Sequence, residues 1–367
     1  MKITKEKFLA ALSVGARVAQ PKATLPVLAC VMIEARKAVQ RVFLTSTNLD
    51  MCISTSTPAV IEKDFSVCLP GSRFTGIVGA LAEGEITITV TDRFAISMKC
   101  GPSDYRFMGM SGAEFPIRPP IASGVMMELK QQDLADRLNS VAASASDQEQ
   151  RYIIKSVLVA KTPTGITFVA TDGRRMHVNT SNEASDGQLS IIIPDTAVDK
   201  LVRLLEGTGK VQVTLDDKQV EFVIDRPDGE IVFQTKVVAG NYPNWRGVLA
   251  QYETKGVMVD REGLRKAVKL VALATTEKFS AICLEFKEQK ILLTAGDEDT
   301  SQDELDCANP HNLSGKVAVN YRFLLDAVNA GTDETTVLNI KEVKPEMSPL
   351  AVNCGDLQTM VMPVRLK

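Results

Sequence analysis

The chain has two histidines, few aromatics (5% of residues) and no Cys-x-x-C pair, and each shortage removes a class of chemistry. His177 and His311 cannot build a zinc site without cysteines at ligand spacing. The seven cysteines (Cys30, Cys52, Cys68, Cys100, Cys283, Cys307, Cys354) are scattered and odd in number, so they read as reduced, mostly buried thiols of a cytoplasmic protein. Aromatics that do not interleave with basic residues disfavour stacking on single-stranded nucleic acid. No apolar run reaches the roughly 18 residues that span a bilayer, and no membrane association is expected. Met1-Lys2-Ile3-Thr4-Lys5 lacks the apolar core of a signal peptide. An excess of one charge is missing as well: the net is −3, which by itself counts against nucleic-acid binding.

Catalytic motifs are equally scarce. The acidic run Asp297-Glu298-Asp299-Thr300-Ser301-Gln302-Asp303 hints at a calcium loop. It fails because Gln302 stands where the sharp turn needs glycine and Ala308 where a bidentate glutamate belongs. Gly207-Thr208-Gly209-Lys210 ends like a phosphate loop, yet Val211 replaces the hydroxyl residue. No G-x-S-x-G elbow occurs. The expectation is a protein with no catalytic residues, no metal and no cofactor.

What the chain does contain is repetition. First-helix openings recur at Lys5-Glu6-Lys7-Phe8-Leu9, Lys130-Gln131-Gln132-Asp133-Leu134 and Arg261-Glu262-Gly263-Leu264. Second-helix openings recur at Leu69-Pro70-Gly71-Ser72-Arg73, Ile193-Pro194-Asp195-Thr196-Ala197 and Val319-Asn320-Tyr321-Arg322. Both series step by roughly 125 to 130 residues, one compact domain per copy. Proline-bearing crossings, Glu114–Pro120 and Asn241–Arg246, separate the copies and read as extended linkers, giving domains 1–122, 123–252 and 253–367. Between helices the pattern turns to period two with β-branched residues, as in Ile86–Val90, Val211–Leu215 and Thr335–Ile340. Each copy is therefore an α+β unit of two short helices and about eight mostly antiparallel strands.

Charge is distributed unevenly over this plan. Helical spans 5–19, 71–80, 130–145, 195–206, 261–275 and 321–329 hold 13 Lys or Arg against 8 Asp or Glu, a balance of +5 that leaves −8 elsewhere. Ordinary solvated helix faces would account for a modest excess; a shared surface for a polyanion accounts for it too. One further cluster, Ala170-Thr171-Asp172-Gly173-Arg174-Arg175-Met176, places two arginines on a tight turn that the other copies do not repeat in sequence. A surface hairpin explains it, as does a site specialised in the middle copy.

These residues resemble the β sliding clamp family, the processivity subunits of bacterial DNA polymerase III. The resemblance rests on Ala23–Leu28, Arg151-Tyr152, Ala170–Arg175, Asn241-Tyr242-Pro243, Glu277-Lys278-Phe279 and Val361–Leu366, together with the triple repeat. It implies three DNA-clamp domains per chain, closing as a head-to-tail homodimeric ring that encircles duplex DNA without reading sequence. A basic lining attracts phosphates and carries no base information, and enclosure replaces affinity, so the net charge is no objection.

The resemblance also assigns sites. A hydrophobic groove for the replicative polymerase, clamp-loader subunits and other partners bearing clamp-binding peptides would comprise Ile154, Thr171, Gly173, Arg174, Arg175, Met176, Pro243, Val248, Phe279, Asn320, Phe323, Val361, Met362, Pro363, Val364, Arg365 and Leu366. Arg174 stands where the family often has histidine, and Gly247 where arginine is common. DNA-facing positions would be Lys22, Arg73, Arg137, Gln148, Tyr152, Lys200, Arg203, Lys266 and Lys269. The ring joint would set Tyr105-Arg106-Phe107 against Leu273, Ala274 and the acids Glu298, Asp299, Asp303 and Glu304 of a second copy. Two rival readings are a clamp-like paralogue acting as an interaction hub, and a metal-dependent nucleic-acid-processing enzyme using the acids near Asp297.

Overall fold

A computed structural model describes residues 1–162, 165–181, 189–250, 256–276, 280–296, 300–341 and 345–365. Among them are seven α-helices: α1 Lys5–Gly15, α2 Gly71–Ala80, α3 Gln131–Ala142, α4 Asp195–Val202, α5 Trp245–Leu249, α6 Arg261–Val271 and α7 Tyr321–Ala330. Six begin where the repeat places them. Side-chain caps fix two of these starts: Asp260 Oδ2 accepts the Gly263 N–H ahead of α6, and Asn320 Oδ1 accepts the Arg322 N–H ahead of α7 at 2.9 Å.

Two expectations need correction. Most of the expected helical spans are too long, which puts Arg17, Lys130, Arg203 and Glu206 outside helices. The six helices then carry 10 Lys or Arg against 7 Asp or Glu, so their excess is +3 and not +5, with −6 elsewhere. Four of the ten cations sit on α6 alone: Arg261, Arg265, Lys266 and Lys269. The second crossing, expected to be extended, contains α5. Asn244 caps it by accepting the Gly247 N–H at 3.1 Å, and Pro243 closes the chain off just before that cap.

Strands number nine, eight and eight in segments 1–122, 123–252 and 253–367, and every ladder between named strands is antiparallel among the described residues. The chain forms two compact units, residues 1–135 with 199–237, and 136–198 with 238–367.

In the first unit a nine-stranded sheet is made continuous where Gly229–Lys236 pairs with Met51–Pro58, Phe233 opposite Ile53. A four-stranded sheet ends on Ser103–Met108 as its edge. Between the sheets and α1–α2 lies a core containing Phe8, Leu12, Phe74, Val78, Ile86 and Met98. Phe74 makes edge contacts with Phe8 and with Phe107, at 6.0 and 5.7 Å between ring centres.

The second unit repeats the arrangement. Its eight-stranded sheet is continuous where Arg175–Ser181 pairs with Leu357–Val361, Arg175 opposite Val361 and His177 opposite Thr359. Its four-stranded sheet ends on Ser301–Asp306. Here α6 and α7 pack through Leu264, Val268, Val271, Leu324 and Val328. No helix among the described residues is long and apolar enough to cross a membrane.

Candidate functional site

A cavity of about 560 Å³ lies in the second unit beside the joint between Arg175–Ser181 and Leu357–Val361. Met176 and Met360, neighbours across that joint, lie at its base in a small apolar cluster with Leu158, Val178 and Ile192. One wall is the turn Gln150–Ile154; another is the crossing Asn241–Trp245 with Val248 of α5; Met362 closes the far end. Methionine and aliphatic carbon predominate, a lining that adapts to apolar side chains. Tyr242 anchors the crossing by donating to the Ser156 carbonyl at 3.2 Å, and burial pushes its phenol pKa up.

The turn Thr171–Arg175 forms the rim, and its shape follows from two short side chains. Thr171 Oγ1 donates to the Arg175 carbonyl at 2.7 Å and accepts the Gly173 N–H at 3.1 Å. Asp172 Oδ1 accepts the N–H groups of Arg174 and Arg175 at 2.7 and 2.9 Å. Gly173 sits at φ +85°, a conformation that costs other residues about 1 to 2 kcal/mol. The first copy builds the same turn with different residues. Thr47 Oγ1 donates to the Met51 carbonyl, Asn48 Oδ1 accepts from Asp50 and Met51, and Leu49 takes the glycine's place at φ +74°. The backbone of the turn is therefore not special to the middle copy. What differs is the side chains: Gly173 has none where Leu49 has one, and Arg174 and Arg175 stand where the first copy has Asp50 and Met51.

Arg175 does not face the groove as a free cation. Its guanidinium pairs with Asp172 Oδ2 at 3.2 Å and with Asp326 of α7, donates to the Ala143 carbonyl just past α3, and lies 4.5 Å from the centre of the Phe323 ring. The charge is consumed in bracing the turn against α3 and α7. His177 continues this face of the strand. It is fully buried, with Nδ1 2.8 Å from the Ser140 carbonyl near the end of α3 and Nε2 without a partner. A carbonyl only accepts, so Nδ1 carries the proton. Burial pushes its pKa down to about 4 against the opposing pull of the Ser140 hydrogen bond.

Of the expected groove residues, Ile154, Thr171, Gly173, Arg175, Met176, Pro243, Val248 and Met362 line the cavity together. Arg174 is exposed at the rim. Phe323 lies under Arg175, Asn320 caps α7, and Val361 is buried in the ladder, so these three support the walls without lining them. Pro363, Val364 and Arg365 follow the wall, with the Met362 N–H on the Arg174 carbonyl (2.8 Å) and the Val364 N–H on that of Ala318 (2.7 Å). Phe279 and Leu366 lie outside the described residues.

The expected DNA-facing residues divide in the same way. Lys22, Arg73, Gln148 and Lys269 are exposed, as is Lys266, whose ammonium lies 3.9 Å from the Glu262 carboxylate. Arg203 is exposed but paired with Asp199 at 2.9 Å, and Lys200 reaches the Arg17 carbonyl at 3.2 Å. Arg137 is turned inward onto Asn179 and Asp356. Tyr152, 59% exposed, lines the peptide-sized cavity.

At the expected joint, Tyr105, Arg106 and Phe107 lie on the edge strand of the first unit's smaller sheet, over a pocket of about 170 Å³ lined by Phe74, Ile77, Phe107 and Met108. Asp303 and Glu304 lie on the corresponding edge in the second unit, where Lys290 pairs with Glu304. Leu273 is 81% exposed beside Ala274. Glu298 and Asp299 lie outside the described residues, as does Asp297.

Three successive sequence profiles tile the chain: the N-terminal domain of the DNA polymerase III beta subunit over residues 1–119, the central domain over 128–244 and the C-terminal domain over 246–365. The chain belongs to the DNA polymerase III beta subunit family. It is 27% identical to the beta sliding clamp of Synechococcus elongatus over 374 aligned positions, covering 97% of this chain and 96% of the relative. The DnaN sliding clamp of Bartonella birtlesii, solved bound to griselimycin, superposes with a TM-score of 0.88 at 26% identity, both chains covered completely. The DNA polymerase III subunit beta of Pseudomonas aeruginosa has the same fold, with a TM-score of 0.89 at 24% identity over the whole of both chains.

The family is one of non-catalytic processivity factors, so this chain is a clamp and not an enzyme. Its three clamp domains are the three copies seen in the sequence. Sequence reasoning missed Gln150, Arg151, Tyr152, Ile153, Asn241, Asn244, Trp245 and Met360 as lining residues, Tyr152 having been assigned to DNA instead. The available signal was proximity: each is within three positions of a residue that had been singled out.

Proposed function

We propose that this chain closes as a homodimeric ring around duplex DNA, retains it by enclosure, and holds partner proteins through short peptides seated in the groove of the second unit. The observation carrying the reading is the run of three clamp-domain profiles over nearly the whole chain. The domains 1–122, 123–252 and 253–367 are part of this reading, supported in number by profiles over 1–119, 128–244 and 246–365.

Two open sheet edges support the dimer. Ser103–Met108 and Ser301–Asp306 each pair on one side only among the described residues, and an unpaired edge invites another strand. Joining the first edge of one copy to the second edge of another leaves neither open and repeats to closure. Phe107 over its pocket offers an apolar seat for the exposed Leu273 and Ala274 of the second copy, while Arg106 meets Asp303 and Glu304. Lys22, Arg73, Gln148, Lys266 and Lys269 are the residues best disposed to meet phosphates, α6 contributing most; Lys200 and Arg203 add to them where their local bonds permit.

The groove supports the partner assignment because its size and lining suit two or three apolar side chains, each worth about 1.5 to 3 kcal/mol when buried. Griselimycin, to which the Bartonella clamp was solved bound, is a candidate ligand for this groove. Replicative polymerase and clamp-loader subunits are the partners this predicts, acting in the cytoplasm.

Loading onto nicked circular DNA tests the whole reading. The protein should stay on the closed circle and leave when the circle is cut to a linear form with free ends. Equal retention on both forms would rule out enclosure.

A further inference from the structure

The arginines around the groove are of two kinds. Arg175 turns inward and is neutralised by Asp172 and Asp326. Arg151, Arg174 and Arg246 are exposed, and none has a carboxylate partner among the described residues. Arg151 donates to the Asp172 carbonyl at 3.3 Å, on the rim turn itself. The guanidinium carbon of Arg246 lies over the Trp245 ring, 4.2 Å from its centre, and Trp245 lines the groove. Arg174 stands at the tip of the turn, beside Gly173.

The acids of the same neighbourhood face the other way. Asp172 accepts two backbone N–H groups and the Arg175 guanidinium, and Asp326 is taken by Arg175. Among the described residues of the turn before Gln150, Asp147 and Glu149 are carboxylates that face solvent. Three unpaired guanidiniums therefore border an apolar groove in a chain whose net charge is −3.

We propose that the groove selects acidic peptides: apolar anchors enter the cavity, and Asp or Glu side chains beside them pair with Arg174, Arg246 and Arg151. This rests on the peptide-groove reading above and narrows it to one class of partner. Guanidinium is suited to the task because its planar fork matches a carboxylate. Contact with the indole restrains the Arg246 guanidinium, so less freedom is lost when an acid arrives. Since all three sites are wet, the effect falls on approach rate and partner choice more than on total affinity.

A library of random short peptides selected against the full chain tests this, keeping as groove binders those lost when Met362–Lys367 are deleted. Enriched sequences should carry Asp or Glu next to apolar residues. The best binder is then remade with Asn and Gln in place of its acids and both forms are titrated calorimetrically at low and high salt. The amide twin should bind more weakly, the difference shrinking with salt. Arg174→Gln and Arg246→Gln should each weaken the acidic peptide roughly two- to fivefold more than its twin. Arg151→Gln is a poorer probe because Arg151 also holds the turn.

Acidic and amide forms binding alike at every salt concentration would overturn the proposal and leave the groove intact as a peptide site. If no selected peptide depends on Met362–Lys367, the groove reading falls and this inference with it.

Discussion

The rim of the groove and its counterpart in the first copy share a backbone but not their side chains: Asp172, Gly173, Arg174 and Arg175 stand where the first copy has Asn48, Leu49, Asp50 and Met51. Thr47–Met51 and Thr171–Arg175 share their hydrogen bonds, and Leu49 tolerates the left-handed conformation that Gly173 adopts. Gly173→Leu should therefore fold, at a cost of about 1 to 2 kcal/mol in urea denaturation, while its side chain obstructs the groove. Calorimetric titration with griselimycin should give no binding to the variant if the ligand enters there; unchanged binding would remove the rim from the site. His177 makes a second residue-level prediction. Its folded pKa of about 4 lies below the ordinary histidine value of 6.5, so the unfolded chain takes up a proton first as pH falls. The stability tied to neutral His177 is complete above pH 6.5 and declines between 6.5 and 4, by about 3 kcal/mol in all. Urea midpoints measured across that window should fall less steeply in His177→Gln than in the native chain.

At the level of elements, helix starts were legible because caps and charged openings are local. Asp260 and Asn320 lie directly before the helices they cap. Helix ends were less legible, since termination depends on what the next turn packs against. α5 escaped because Asn241–Arg246 reads as a proline crossing, and only the Asn244 cap betrays a helix of five residues. The inward arginines were hidden for a related reason. Arg175 and Asp326 are separated by 151 positions, and nothing near either residue announces the other. Exposed positions such as Lys266 and Lys269 needed no distant partner and were read directly. The tail segment from Met362 is the element most open to test. It contributes one groove wall and hydrogen bonds to the Arg174 and Ala318 carbonyls, yet the ladder that joins the sheet halves ends at Val361. Deleting Met362–Lys367 should abolish peptide and griselimycin binding while sedimentation still reports a dimer. Loss of the dimer as well would mean that the tail holds more than the groove.

For the whole molecule, the two open edges decide whether a ring exists. Leu273→Asp puts a carboxylate where the proposed joint needs an apolar contact, opposite the pocket under Phe107. The variant should sediment as a monomer at micromolar concentration with native circular dichroism, and should fail to remain on closed circular DNA. A dimer that survives the change would move the joint elsewhere. Net charge gave little guidance at this scale, because the helices' excess is only +3 and is concentrated on α6.

Trp245 is the only tryptophan in the chain, and it borders the cavity with Arg246 over one face. Its emission is therefore a built-in optical reporter of one place. Anything that displaces the guanidinium or dries the indole should shift that spectrum, so occupancy of the groove can be followed in an unlabelled native protein, even while it travels on DNA.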